Sequence, residues 1–437
     1  MPSSRSRRPP SFSFIVRSDA IFSLLVRAAN IAAALGLGIL TARLLGPAGK
    51  GVYALPMVQA GLVGTAFVGL SSATTYALLN QHAGRSIVRT ATLAAVIFTI
   101  GGGLAIAVVA LATRAYWAAP AAIASLPALA AANVVTGYVT GIKRIRYAST
   151  ILTATTACTL ALMALGFYFV ARSAWVAIGV WIAASTLVAI VAYAAMLWHA
   201  RKLEPGVRVD MRGYLRLATK VGATSLVTLL NYRADLYIVA VLLSPAALGI
   251  YTVAVSAAES LLLPTQVCAL VASPHIGSLD KPLAANLAAR CVRNNLLIAI
   301  VACAALFVLA PLLVNLLYGP SFAPVVTPMR ILLLGVVALS LGSPVSSYYT
   351  LRLGKPEIPL VLAGASAAVC IVTTIVLIPH LGLIGAAIGS TVAYVAGQGL
   401  GLGYFARLTG LRWNAMLVPT PADLRVYYDF ARRPRAA

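Results

Sequence analysis

Ala42–Tyr53 reads Ala-Arg-Leu-Leu-Gly-Pro-Ala-Gly-Lys-Gly-Val-Tyr, and a degenerate copy of it stands 198 residues further on. Ala240–Tyr251, Ala-Val-Leu-Leu-Ser-Pro-Ala-Ala-Leu-Gly-Ile-Tyr, keeps Ala, Leu-Leu, Pro-Ala, Gly and Tyr at the same spacings. Each copy closes one long apolar run and opens the next. Leu-Leu ends a helix, the Pro-Ala and Gly positions turn the chain, and the aromatic restarts it at an interface. A repeat at one fixed offset marks an internal duplication, so the sequence predicts two similar halves.

Around these turns, 61% of the 437 residues are hydrophobic and only 10% charged, with a mean hydropathy of +0.94. A water-soluble core cannot hide that much apolar surface, whereas a bilayer can. The expected class is an all-α polytopic membrane protein. Twelve runs reach the roughly 20 helical residues that the hydrocarbon core demands: 20–43, 52–78, 90–113, 120–141, 149–171, 174–198, 218–243, 249–272, 294–317, 328–350, 358–378 and 382–406. The basic leader Met1–Arg17 runs straight into the first of them, so no cleaved signal peptide is expected. Five cysteines in or beside apolar runs, with no Cys-x-x-Cys, imply neither a disulfide framework nor a metal knuckle.

A net charge of +24 would point to nucleic acid in a soluble chain. Its distribution assigns it otherwise. With the N-terminus inside, 26 of the 33 Lys and Arg residues fall in cytoplasmic segments. Arg43, Lys50, Arg114, Arg172 and Arg330 fall in outer loops or span ends, and Arg27 and Arg233 inside spans. The positive-inside rule thus predicts two cytoplasmic termini, and no nucleic-acid partner. The excess charge also attracts anionic membrane lipids.

The longest basic connection, His199–Leu217, is the seam between the halves. The expected organisation is a cytoplasmic segment 1–19, a six-helix bundle 20–198, a linker 199–217, a second bundle 218–406 and a cytoplasmic tail 407–437. Halves of six spans make a parallel repeat. Within the linker region, Arg212–Lys220 reads as an amphipathic helix on the inner surface. In the tail, Thr420 as N-cap, Pro421 at N1 and Asp423 in the first turn predict a short helix. Gly385-x-x-x-Gly389 and Gly397-x-x-x-Gly401 give the last span smooth faces for close packing. Gly342-Ser343-Pro344 and Pro264 are candidate bends.

Ionisable groups inside spans are costly and either paired or functional. Four qualify: Arg27, Arg233, Asp235 and Glu259. Arg233 and Glu259 lie equally far from the turn near Ala246, so an ion pair between them is geometrically easy, and ion coupling by Glu259 is the competing reading. Asp235 needs a partner of its own, a proton or a bound cation. Thr373, Thr374, Ser390 and Thr391 are the oxygens that could complete a Na⁺ site. Arg27 either snorkels to the inner headgroups or presents its fork to a phosphate. Asn30, one turn on, shares its face; Asn133, Tyr138, Asn231 and Tyr232 line a polar cavity or make ordinary interhelical hydrogen bonds. No outer loop contains an Asp or Glu, no P-loop is present, and no loop could hold a catalytic domain. An enzyme is a poor reading.

The run Tyr318-Gly-Pro-Ser-Phe322, then Leu332–Ser347, then Arg352-Leu-Gly-Lys-Pro356 resembles the polysaccharide-biosynthesis flippase family, as does Leu377-Ile-Pro-His-Leu-Gly-Leu-Ile-Gly-Ala-Ala-Ile-Gly-Ser-Thr391. That family belongs to the superfamily of multidrug, oligosaccharidyl-lipid and polysaccharide (MOP) exporters. Ala-Arg-Leu-Leu-Gly-Pro is similar to the family's end of span one, and Asn231-Tyr-Arg-Ala-Asp235 with Gly249-Ile-Tyr251 resembles its span seven and eight region. The resemblance implies two six-helix bundles and a flippase moving undecaprenyl-diphosphate-linked oligosaccharide across the bacterial inner membrane by alternating access. It implies no cofactor beyond a coupling H⁺ or Na⁺, and a polysaccharide polymerase and chain-length regulator as partners. It carries Arg27 over as a span-one cavity cation and Asp235 as a span-seven acid. Beside these two, the reading of the spans offers Asn30, Asn133, Tyr232 and Arg233 as substrate contacts and Glu259 with Asp235 as ion-coupling acids. A drug/cation antiporter on the same fold and a non-transporting scaffold of a polysaccharide-synthesis complex are the alternatives.

Overall fold

The computed structural model describes residues 12–81, 83–113 and 116–420; the side chains of 12–25, 27, 112–113, 145–146, 148–149 and 270 are outside that description. The leader up to residue 11 and the expected helix at Pro421 and Asp423 lie beyond it as well.

Among the described residues every regular element is helical: α1 (Phe12–Ala66), α2 (Val68–Asn80), α3 (Ile87–Thr113), α4 (Ala119–Gly141), α5 (Ile145–Phe169), α6 (Ala174–Ala200), α7 (Met211–Leu242), α8 (Pro245–Ser260), α9 (Leu262–Ser278), α10 (Lys281–Tyr318), α11 (Val326–Leu339), α12 (Gly342–Ser347), α13 (Glu357–Thr409) and α14 (Trp413–Leu417). Nine stretches of these helices are long and apolar enough to cross a bilayer, and α8 with α9, bent by 40°, add another. Two of the nine, Ala28–Asn80 and Glu357–Thr409, are 53 residues long, about 80 Å of helix against a hydrocarbon core of about 30 Å. Each therefore contains two crossings, and a glycine in a left-handed conformation separates them: Gly46 (φ 66°) and Gly382 (φ 56°). Among the described residues the helices thus account for twelve crossings, and the protein is a multi-pass membrane protein.

The two copies of the repeat form the same turn by different chemistry. Gly46 reverses the first copy directly. In the second, the Ser244 hydroxyl caps α8 by accepting from the Ala247 amide at 3.3 Å, with Pro245 at N1. Four residues after each proline stands a glycine, and the two glycines contact the opposite copy. A Cβ on Gly51 would lie 1.6 Å from the Pro245 carbonyl oxygen, and one on Gly249 would lie 2.1 Å from that of Pro47. Helix restarts at Pro47, so Lys50, expected in the connection, stands one turn inside the second span.

The chain divides into two compact units, 12–44 with Gln59–Ser225 and Leu45–Val58 with 226–420. In the first, α4 is central. Gly137 sits against the Ser71 carbonyl of α2, and the Thr75 hydroxyl donates to the Gly137 carbonyl at 3.0 Å. The basic linker is strapped to this unit: the Arg85 and Ser86 amides donate to Glu204 and Pro205 carbonyls at 2.8 and 2.9 Å. Arg212–Lys220 is not a separate surface helix. It forms the first turns of the unbroken α7, burying Tyr214 and Ala218, and the Tyr214 hydroxyl meets Thr74 at 2.8 Å. The N-terminal part of α7 is thus built into the first unit, and the boundary falls within the helix, after Ser225.

In the second unit the two limbs of α13 form a tight hairpin. Gly385 faces the Leu377 carbonyl, Gly389 faces Thr374 and Gly397 faces Ser366, each too close for a side chain. Three of the four glycines expected to pack closely do so, whereas a Cβ on Gly401 would make ordinary contact with Leu362 at 3.5 Å. α8 breaks at Leu261, just before Pro264, and Gly342–Pro344 opens α12, which passes into a π-helical turn at Tyr348–Arg352. α14 closes one end, with Met416 buried and the Arg293 guanidinium donating to the Ala415 carbonyl.

Candidate functional site

Little more than one turn of α7, in the second unit, carries Asn231, Arg233 and Asp235. Asn231 and Asp235, four residues apart, share one face. Asp235 is 1% exposed, and a buried carboxyl needs donors. It has three. The Tyr251 hydroxyl on α8 and the Ser390 hydroxyl on α13 each reach Oδ2 at 2.6 Å, and the Leu236 amide reaches Oδ1 at 2.8 Å. The Tyr251 and Ser390 oxygens are 3.4 Å apart, and Cys370 Sγ lies 3.9 Å from Ser390.

Ser390 has a single proton and a second acceptor within reach, the Ala386 carbonyl at 3.2 Å. If a proton binds Asp235, Ser390 can turn its own proton to Ala386 and accept from the acid. The site can therefore take up a proton without leaving a buried polar atom unmet. Of the four oxygens expected to complete a cation site, Ser390 alone reaches Asp235. Thr373 donates to the Val369 carbonyl at 2.6 Å, Thr391 donates to the Ile331 carbonyl at 3.0 Å, and Thr374 stands 3.8 Å from Cys370 Sγ.

Arg233 points elsewhere, as its two-residue offset from Asp235 requires. Its Nη2 lies 2.6 Å from Glu259 Oε2, the side chains being 34% and 16% exposed. Glu259 Oε1 is buried without a hydrogen-bond partner among the described residues, as is Asn231 Oδ1. Tyr232, at 38% exposure, leaves its carbonyl to accept from the Tyr394 hydroxyl at 3.3 Å. The pair and the Asp235 cluster form one polar island inside apolar helices.

The first unit contributes less. Arg27 is on α1, but its side chain is outside the described residues. Asn30 keeps a buried Oδ1 with no partner among the described residues. Asn133 spends its amide on its own helix, donating to the Leu129 carbonyl at 2.9 Å. Tyr138 meets His199 Nδ1 at 3.0 Å. This unit also holds a cavity of about 600 Å³ between α3, α4 and α6, lined by Thr92, Ile100, Pro127, Ala131, Ile190 and Tyr193 among others. Its walls are almost wholly apolar, and none of the expected site residues lines it. Tyr251 is the participant that sequence reading missed; its signals were its place in the repeat and in the Gly249–Tyr251 segment of the resemblance.

Twelve spans, an internal repeat and an intramembrane acid held by hydroxyls now stand beside a sequence match. The family described as polysaccharide biosynthesis protein matches residues 40–327. The chain belongs to that family. Its fold is shared with solved members of the MOP superfamily. A lipid II flippase, MurJ, in an inward closed conformation has a TM-score of 0.71 at 13% identity, covering 94% of this chain and 93% of that one. An inward-facing multidrug resistance MATE family transporter has 0.63 at 18% identity, over 90% and 99%. A MOP superfamily transporter from Pyrococcus furiosus has 0.57 at 15%, over 91% and 95%. No curated protein matches. At such identities the likeness establishes the fold, and the polysaccharide biosynthesis family membership rests on the sequence match.

Proposed function

We propose that this protein is a flippase that carries a polyprenyl-diphosphate-linked oligosaccharide across the bacterial inner membrane, by alternating access and without covalent chemistry. The observation that carries the reading is the polar island of α7, α8 and α13 in a polysaccharide-biosynthesis chain whose fold is that of exporters. Asp235 is the coupling acid. The hydroxyls of Tyr251 and Ser390 hold it in either protonation state, so H⁺ is the coupling ion. Arg233, fixed by Glu259, supplies positive charge toward the diphosphate, with Arg27 as a second cation and Asn30, Asn133 and Tyr232 as neutral contacts. The basic ends of the spans face the cytoplasm, where lipid-linked sugars are assembled, and a polymerase and chain-length regulator receive the product.

The test is made in cells lacking the protein, by extracting polyprenyl-diphosphate oligosaccharides and determining their leaflet. Accumulation in the inner leaflet, reversed by the wild-type gene and not by Asp235→Asn, is the expected result. Unchanged lipid intermediates with altered drug tolerance would replace this reading by that of an antiporter.

A further inference from the structure

The apolar cavity of the first unit is a groove with a small, buried floor and a large, open rim. Ala128 and Ala130 of α4 and Ala189 of α6 form the floor, all buried. Val96 and Ile100 of α3 and Ile190 of α6 form the rim, each at least half exposed. The 600 Å³ between them is the size of an ordinary ligand pocket. Along α6 the groove extends from Thr186 to Leu197, about 16 Å of helix and about half of a 30 Å hydrocarbon core. It therefore runs the depth of one leaflet. The charge distribution assigns the Leu197 end to the cytoplasm, which makes this the inner leaflet.

The polar groups at the inner end are spent on the protein. Thr92 donates to the Val88 carbonyl at 2.6 Å, so its oxygen accepts from the Tyr193 hydroxyl and ties α3 to α6. With those hydroxyls engaged, the groove suits hydrocarbon and not sugar. Just beyond them both lining stripes turn basic. Arg89, Thr92, Val96 and Ile100 follow one face of α3, and Ile190, Ala194, Leu197 and Arg201 follow one face of α6 and its C-cap. Arg89 and Arg201 are both exposed. Two guanidinium groups at the headgroup end of an apolar groove complement an anionic lipid. The alanine notches beside Pro127 make a stepped wall, which a methyl-branched chain fills more completely than a straight acyl chain does.

We propose that this groove seats the isoprenoid chain of a polyprenyl-diphosphate lipid, with Arg89 and Arg201 at its diphosphate end. Taking that lipid as the transported substrate rests on the proposed flippase function. The groove is then a loading site, where the lipid waits in the inner leaflet before its head group crosses.

The test photolabels the purified full-length protein, in phosphatidylcholine vesicles, with a diazirine analogue of geranylgeranyl diphosphate and maps the labelled peptides. Label within 92–100 and 186–197 is expected, displaced by farnesyl diphosphate and not by an equal amount of phosphatidylglycerol. Ala194→Trp puts an indole into the groove from an exposed position, which leaves the core intact, and should cut labelling about tenfold or more. Ala195→Trp, exposed and outside the lining, should leave labelling unchanged. Arg89→Gln and Arg201→Gln should each weaken it about fivefold. Label spread evenly over the exposed spans, displacement by phosphatidylglycerol as readily, or labelling unchanged in Ala194→Trp would overturn the site. Specific labelling lost in Ala194→Trp, with normal lipid intermediates in cells lacking the protein, would remove the flippase reading and leave the groove standing. Accumulated intermediates without groove labelling would overturn the groove and leave the flippase.

Discussion

Asp235 concentrates the chemistry of the second unit because three donors converge on one buried carboxyl. Asp235→Asn is expected to abolish ion-dependent function while the protein still inserts, as measured by substrate accumulation with and without a proton gradient. Gradient-sensitive activity in that variant would remove the residue from coupling. Tyr251→Phe deletes one donor to a charged group, worth about 1.5–3 kcal/mol, and should lower thermal stability without blocking insertion. Arg233 and Glu259 make the second prediction at this scale. Truncating either leaves the other charge without its partner, so the two single alanine variants should lose more together than the double variant does. A coupling of about 0.5–3 kcal/mol in a double-mutant cycle is the expected value; additive losses contradict the pairing. The pair was legible in the sequence, because both residues lie equally far from one turn and depth in the membrane follows from that count. Tyr251 was not, since which of the second unit's hydroxyls meets Asp235 depends on how α8 rotates about its axis. The expected Thr373 contact failed for a local reason, since a hydroxyl inside a helix finds the carbonyl one turn back first, and Thr391 is instead drawn to the Ile331 carbonyl on α11.

At the scale of elements, the two repeat turns lock by exchanging glycines and carbonyls. Gly51→Ala would place a methyl group 1.6 Å from the Pro245 oxygen, against backbone that cannot swing aside. The expected cost is about 1–3 kcal/mol, as for overpacking elsewhere, and appears as a lowered unfolding temperature. Gly61→Ala, with nothing within 4 Å of its added carbon, is the control and should be neutral or stabilised by up to about 1 kcal/mol. Equal effects at both sites would refute the lock. The sequence marked these turns through Pro, Gly and Tyr, and the spacing of the smooth faces on α13 through its glycines. It misplaced Arg212–Lys220 because an amphipathic stretch reads alike whether it lies on a membrane or leads into a span. Tyr214 and Ala218 resolve the difference by burying against α2, a tertiary contact with no local signal.

At the scale of the whole molecule, hydropathy predicts twelve spans because a bilayer constrains length and satisfaction of the backbone more strictly than water does, and loop charge predicts which ends face the cytoplasm. Two breaks at Gly46 and Gly382 then make four spans out of two unusually long helices. The charge distribution predicts that a cysteine at Glu204 is shielded from an impermeant maleimide in intact cells and one at Arg172 is labelled; the reverse pattern would invert the topology. The candidate residues of the first unit were the least legible part, since Asn133 and Tyr138 each had an interhelical and a cavity reading, and Asn133 bonds its own helix. The measurement that tests the central claim most directly uses the purified protein in liposomes with a fluorescent polyprenyl-diphosphate saccharide, following its protection from an external quencher. The account predicts transfer between leaflets that accelerates with an imposed proton gradient and loses that response in Asp235→Asn. No transfer above protein-free liposomes, or transfer indifferent to both gradient and substitution, would contradict it.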